Sequence, residues 1–232
     1  MVKFATFVIV ELNTTGLQER ENNETKITEL SLVAVKRKHI LATSRGATPR
    51  VQHKITLCFN PERPISATAR TLSGLNNELL ESESTFNMAT FTIINTFLNN
   101  LTKPICLIAH NGHRFDFPLI KKYLLELDVN FDSELRYADS LHGFFDIMEG
   151  FGVRRNIINR YDVNRYYEPG DFIQSYQLGD VYYRTFPRAE DDEEPEDYGV
   201  DNKCFKVLRL FAYNANEMVE WFETHNLLFS EV

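Results

Sequence analysis

The run Phe7-Val8-Ile9-Val10, continued by Glu11-Leu12-Asn13-Thr14-Thr15-Gly16-Leu17, constrains this chain more than any other stretch. β-Branched and aromatic residues in unbroken succession make a buried strand. That strand ends in two short side chains able to ligate, Glu11 and Asn13, which a period of two places on one face. Thr14-Thr15-Gly16-Leu17 then breaks it, with Gly16 free to take backbone angles that other residues avoid. The remaining elements are organised around this strand and its polar end.

A polar connector, 19–26, leads to a second apolar strand at Ile27–Val35, and Ile55–Phe59 is a third. Between them, residues 36–54 carry Lys36, Arg37, Lys38, His39, Arg45, Arg50, His53 and Lys54 and no acid. This basic loop is either a solvated hairpin connection or a segment that touches phosphates. Pro61–Pro64 is a turn and 67–75 a short helix. Phe86, Phe91, Ile94, Phe97, Leu98 and Leu101 recur at helical spacing and predict an amphipathic core helix over 85–101. Residues 104–111 read as a strand covered on both faces, 117–127 as a helix and 137–140 as the end of another short strand. After a long irregular region a helix begins at Tyr176–Tyr183. An acidic loop spans 188–201, with Glu190–Asp197 almost wholly acidic around Pro195. Helices at Cys204–Ala212 and Glu217–His225 close the chain. The order predicts one α/β domain, 1–232, with a central mixed sheet flanked by helices.

A net charge of −8 argues against general polyanion binding, although much of the acidity is local, so patches decide more than the total. The N-terminal apolar run soon meets Glu11, and neither a signal peptide nor a membrane span is readable. Cys58, Cys106 and Cys204 lie in apolar stretches without metal-binding spacing. They read as reduced core thiols of a cytoplasmic or nuclear protein.

A second motif, His110-Asn111-Gly112-His113-Arg114-Phe115-Asp116, joins a strand through a turn to a carboxylate opening a helix. Asn111, Phe115 and Asp116 match the Asn-x-x-x-Phe/Tyr-Asp motif of the DEDDh 3′–5′ exonucleases, whose first motif is Asp-x-Glu followed by a Thr-Gly turn. More closely, the chain resembles the three-prime repair exonuclease family over nearly its whole length. The matching stretches include Thr28–Val35, Leu72–Leu75, Ala109–Pro118, Asp139–Leu141, Ser175–Gly179 and Glu220–Phe222. The resemblance implies an RNase H-like fold and a homodimer built on edge-strand pairing through 55–59. It also makes the segment containing Arg45, Arg50 and Lys54 similar to the family's DNA-binding loop. Thr14 and Leu17 would sit with Asn111 around a 3′-terminal nucleotide.

Family chemistry is two-metal phosphodiester hydrolysis, with two divalent ions about 4 Å apart. Such hard ions require anionic oxygen ligands at about 2.1 Å, so the family uses four acids, plus a His as general base. Carried over residue by residue, the first Asp falls on Glu11, the Glu on Asn13 and the second-motif Asp on Asp116. Aligning Phe205, Val207, Leu208 and Leu210 with the family's last motif puts its His on Tyr198 and its Asp on Lys203. Sliding the register to make Asp201 the ligand would put Lys203 and Lys206 in apolar positions, so Asp201 would approach only by a loop rearrangement. Glu11 and Asp116 are thus the only retained carboxylates, and the Lys203 ammonium is expected to pair with one of them. Tyr198, with an unperturbed pKa of ~10, is a poor base. His113 reads as a surface histidine rather than a replacement base. No resident metal is expected, with Mg or Mn serving if activity remains. The chain then reads as a degenerate exonuclease acting in binding of single-stranded DNA or RNA or in protein assembly. The alternatives are an active exonuclease with an altered ligand set (Glu11, Asp116 and a repositioned Asp201) and a pure scaffold using its acidic loop.

Overall fold

The structure is a computed structural model that describes residues 1–150, 175–187 and 199–232. Its six strands are β1 (Thr6–Thr14), β2 (Ile27–Lys36), β3 (Val51–Cys58), β4 (Ile105–Ala109), β5 (Arg136–Asp139) and β6 (Leu227–Leu228). They form one mixed sheet in the order β3-β2-β1-β4-β5-β6. β1 runs parallel to β4 and β4 to β5, while β2, β3 and β6 are antiparallel to their neighbours. The described helices are α1 (Arg37–Leu41), α2 (Ala67–Ser73), α3 (Met88–Asn99), α4 (Asp116–Glu126), α5 (Ser140–Met148), α6 (Leu178–Thr185), α7 (Val200–Tyr213) and α8 (Ala215–Thr224).

All nine residues of β1 are buried, and their alternation divides the core in two. Phe7 and Ile9 pack with Val33 and Val35 of β2 beneath α5, α7 and α8, where Phe144, Phe211, Trp221 and Phe222 lie. Val8, Val10 and Leu12 pack on the other side, with Leu30 and Leu32, against Ile94 and Leu98 of α3 and Phe117 and Ile120 of α4. Each such side chain contributes about 1.5–3 kcal/mol relative to exposure, which makes the strand a rigid frame. The same alternation assigns Glu11 and Asn13 to the Phe7 face, under α7. In the antiparallel register Glu11 stands opposite Ser31 and Asn13 opposite Glu29.

Several elements differ from the sequence expectation. The basic stretch 36–54 is not a plain loop: α1 occupies Arg37–Leu41 and β3 already starts at Val51. Ile40 is fully buried and anchors α1, while Arg37 Nε donates to Glu223 Oε1 of α8 at 3.0 Å. Residues 140–148, expected to be irregular, form α5. Leu141, Phe144 and Phe145 supply a buried stripe, and Gly143 lets α8 approach so closely that a Cβ there would meet Trp221 Cε3 at 3.1 Å. α7 begins at Val200, four residues before the expected Cys204, and the two-residue β6 was not anticipated. Cys106 and Cys204 are buried core thiols, but Cys58 is only half-buried on β3. The acidic run 190–197 lies outside the described residues. No helix among the described residues is long and apolar enough to cross a membrane.

Candidate functional site

The carboxyl ends of β1 and β4 open into a cleft of about 780 Å³, the place where parallel strands of an open sheet present ligands. β1 and its turn contribute Glu11, Asn13, Thr14 and Leu17; the β4–α4 connection contributes His110, Asn111 and Asp116; α7 contributes Lys203. Seven residues marked by the sequence are therefore gathered in one cavity: Glu11, Asn13, Thr14, Leu17, Asn111, Asp116 and Lys203. Tyr198 lies outside the described residues.

The basic residues expected near phosphate are not among the residues lining this cleft. Arg45 stacks over the Tyr213 ring at 4.0 Å, at the opposite end of α7 from Lys203. Ten residues of helix separate those ends by roughly 15 Å. Lys54, on the edge strand β3, pairs with Asp201 at 3.3 Å, and the Arg50 carbonyl lies 3.2 Å from His39 Nδ1. Asp201 is thus engaged at the rim with Lys54.

Lys203 enters because α7 packs across the Phe7 face with its first turn over the end of β1. Its Nζ donates to Asn13 Oδ1 at 2.8 Å, and Asn13 Nδ2 donates to Glu29 Oε2 at 2.8 Å. The Val200 N–H also reaches Glu29 Oε2, at 3.4 Å. The expected salt bridge from Lys203 to Glu11 or Asp116 is replaced by this bond to a neutral amide. The sequence marks Glu29 only as part of a strand and of the matching stretch Thr28–Val35, although an acid inside an apolar strand, with the side-chain parity of the Phe7 face, was the available signal for a site role.

Burial pushes the Glu11 carboxyl from 4.5 up to about 7, with Lys203 pulling it down and Asp139 adding to the rise. Burial also lifts Asp116 well above the usual carboxylate range, helped by the charges of Glu11 and Asp139 and opposed by Lys203. Burial likewise raises Glu29, against the hydrogen bonds from Asn13 and Val200. The folded state therefore keeps a proton on Glu11 after the unfolded chain has lost it. Stability from this group is highest below pH 4.5 and falls as pH climbs to about 7. Glu11→Gln is expected to stabilise the fold by about 2 kcal/mol at pH 8 and by almost nothing at pH 4. Urea melts at the two pH values check this, and equal shifts at both would contradict it.

Asp139 was noted only within a matching stretch, yet it builds the site from beneath. Its Oδ1 accepts from the Asn111 N–H at 2.8 Å and the Leu141 N–H at 2.9 Å, and its Oδ2 accepts from the His113 N–H at 3.0 Å. These bonds clamp the turn that holds Asn111 in the left-handed region, at φ 62°. Burial opposes the charge of Asp139, but His142, His113 and His110 and the His113 N–H together hold its carboxyl below the usual range. His113 is half-buried rather than free on the surface: its ring packs 5.0 Å from Tyr137 and 5.8 Å from His142. His110 donates from Nε2 to the Tyr176 carbonyl at 2.8 Å, with Nδ1 3.1 Å from Ser140 Oγ, so both ring nitrogens serve the structure.

Over 225 residues the chain is 32% identical to human three prime repair exonuclease 2, covering 93% of this chain and 86% of that protein. The chain belongs to the three-prime repair exonuclease family. The mouse three prime repair exonuclease 2 is 30% identical over the same coverage, and bovine three-prime repair exonuclease 1 is 27% identical over 98% of this chain and 69% of its own. Among solved structures, E. coli exonuclease I in its single-stranded DNA complex superposes with a TM-score of 0.61 at 13% identity, covering 94% of this chain but 42% of its own. Cell-death related nuclease 4 gives 0.61 at 10% identity, covering 92% of this chain and 64% of its own. These likenesses show the fold, the RNase H-like sheet of exonucleases. No family model matches the chain.

Set against the family's two divalent ions, the donor set of this cleft does not fit. Of the ligand positions carried over from the family, only Glu11 and Asp116 bring carboxylates to it, Asn13 is an amide, and Lys203 brings an ammonium. Among the described residues no three His, Cys, Asp or Glu side chains are grouped to hold an ion.

Proposed function

We propose that this chain is a catalytically silent member of its family that retains single-stranded DNA or RNA in the cleft without cutting it. One observation carries the proposal. Asn13 and Lys203, which the resemblance sets where the family has acids, are bonded to each other at 2.8 Å and so close the position that a metal ligand set would need. Thr14, Leu17 and Asn111 line the same cavity with Arg20, while Arg63 in its wall is paired with Glu21 and Glu24. The exonuclease names of the relatives support a nucleic-acid ligand, and the net charge of −8 supports modest, salt-sensitive affinity. A weak one-metal nuclease is the alternative, supported by Glu11 and Asp116 lining the cleft together. The free cysteines support a reducing compartment, cytoplasm or nucleus. The exposed edge of β3, at one margin of the sheet, supports a homodimer formed by strand pairing.

The test is a labelled single-stranded DNA and RNA incubated with Mg²⁺, with Mn²⁺ and with chelator, each sample read for shortening and for retention. Retention without shortening is expected. Metal-dependent shortening that disappears in Asp116→Ala would return the chain to the active nucleases. Light scattering on the same preparation reads the dimer as twice the mass of one chain, and a monomer would remove the strand-pairing proposal.

A further inference from the structure

We infer that Lys203 is a built-in cation that takes a phosphate oxygen in place of a divalent ion, so that nucleic-acid retention in this cleft requires no metal. This rests on the proposed function and says how the altered site would perform it.

The ammonium is fixed rather than swinging. Glu29 accepts from Asn13 Nδ2 at 2.8 Å, which turns the amide oxygen of Asn13 toward Lys203 Nζ, also at 2.8 Å. The Val200 N–H holds the far end of that relay by donating to the same Glu29 oxygen. An ammonium has three N–H donors, and one is spent on Asn13, leaving two for an anionic ligand or water. Lys203 lines the cavity beside Glu11 and Asp116, so a phosphate drawn into the cleft meets the ammonium at its wall. The lysine also stands in the first turn of α7, where the helix dipole disfavours a cation. An anion bound there relieves that mismatch and meets the positive end of the helix as well.

The assay is fluorescence anisotropy of a labelled single-stranded oligonucleotide, titrated at several salt concentrations in chelator and again in Mg²⁺. For the unaltered chain the two affinities are expected to agree within about twofold, because the phosphate contact is carried by a side chain. Lys203→Met is expected to weaken binding about tenfold in both buffers and to reduce the salt slope by about one. Lys203→Arg keeps the charge and most of the affinity. Asn13→Ala frees the lysine without removing it and is expected to weaken binding about threefold. A merely structural role for Lys203 would leave the salt slope unchanged, and thermal melts of each variant confirm that the fold survives. Loss of affinity in chelator, or a Lys203→Met variant that binds like the unaltered chain, overturns the inference while leaving nucleic-acid retention standing. Absence of binding by the unaltered chain in either buffer overturns both.

Discussion

Asp139→Ala is expected to destabilise the fold by about 3–5 kcal/mol, more than any change at the cleft surface. The carboxylate is fully buried and accepts three backbone N–H bonds, from Asn111, His113 and Leu141. Removing it leaves those donors without an acceptor in a dry interior, at about 1–3 kcal/mol for each that water cannot reach. The same change removes the N-cap of α5 and the charge 3.9 Å from His142 Nε2. Asp139→Asn keeps one acceptor oxygen, so its loss is expected to be about half as large. A fall in the urea midpoint at unchanged slope measures the effect, and a loss below about 1 kcal/mol would refute the clamp. Its pH dependence has the opposite sign to that of Glu11. Asp139 is held below the ordinary carboxylate range, so its contribution is present above pH 3.8 and is lost as acid drives the pH through its lowered pKa.

Asp139 also shows what the sequence can and cannot reveal. The strands were legible because β1, β2 and β4 carry apolar runs of four residues or more, a pattern that survives in a strand buried on both faces. Alternation along β1 was enough to put Glu11 and Asn13 on one face, and the apolar spacing of α7 was enough to bring Lys203 to them. The basic segment was misread because charge dominates its composition, whereas one buried side chain, Ile40, decides that α1 forms. α5 was missed because Gly143 and His142 interrupt its pattern; the glycine is there for contact with Trp221, a tertiary demand invisible to local spacing. Glu29 and Asp139 were overlooked for a related reason. Each acts through hydrogen bonds to groups at least 16 residues away, Asn13 in one case and the turn at Asn111 in the other. A resemblance names the positions where ligands should be, but only packing shows what the side chains at those positions bond to.

That distinction can be reversed by design, and the expected result is large. The combined change Glu11→Asp, Asn13→Glu and Lys203→Asp rebuilds a set of acids around Asp116. In chelator the variant should be markedly destabilised. The new acid at position 13 would face Glu29, whose Oε2 now accepts from the Asn13 amide at 2.8 Å, and the Lys203 ammonium would be gone. Uncompensated like charges in a buried site cost several kcal/mol, and about 2–4 kcal/mol is expected here. Mn²⁺ should then restore what was lost, because an ion that binds only the folded state stabilises it by about 2.7 kcal/mol at a hundred times its dissociation constant. The unaltered chain should shift by less than about 0.5 kcal/mol over the same titration, since an ammonium and an amide set beside two carboxyls offer a hard cation little. Denaturant melts across a Mn²⁺ series read both chains directly. If the unaltered chain moves as far as the variant, Lys203 does not exclude the ion and the cleft is a working metal site. If neither moves, the acids are not where the register places them. The expected asymmetry, a rebuilt site that needs the ion beside a natural one indifferent to it, would make the Asn13–Lys203 bond the feature that separates this chain's cleft from a metal-dependent one.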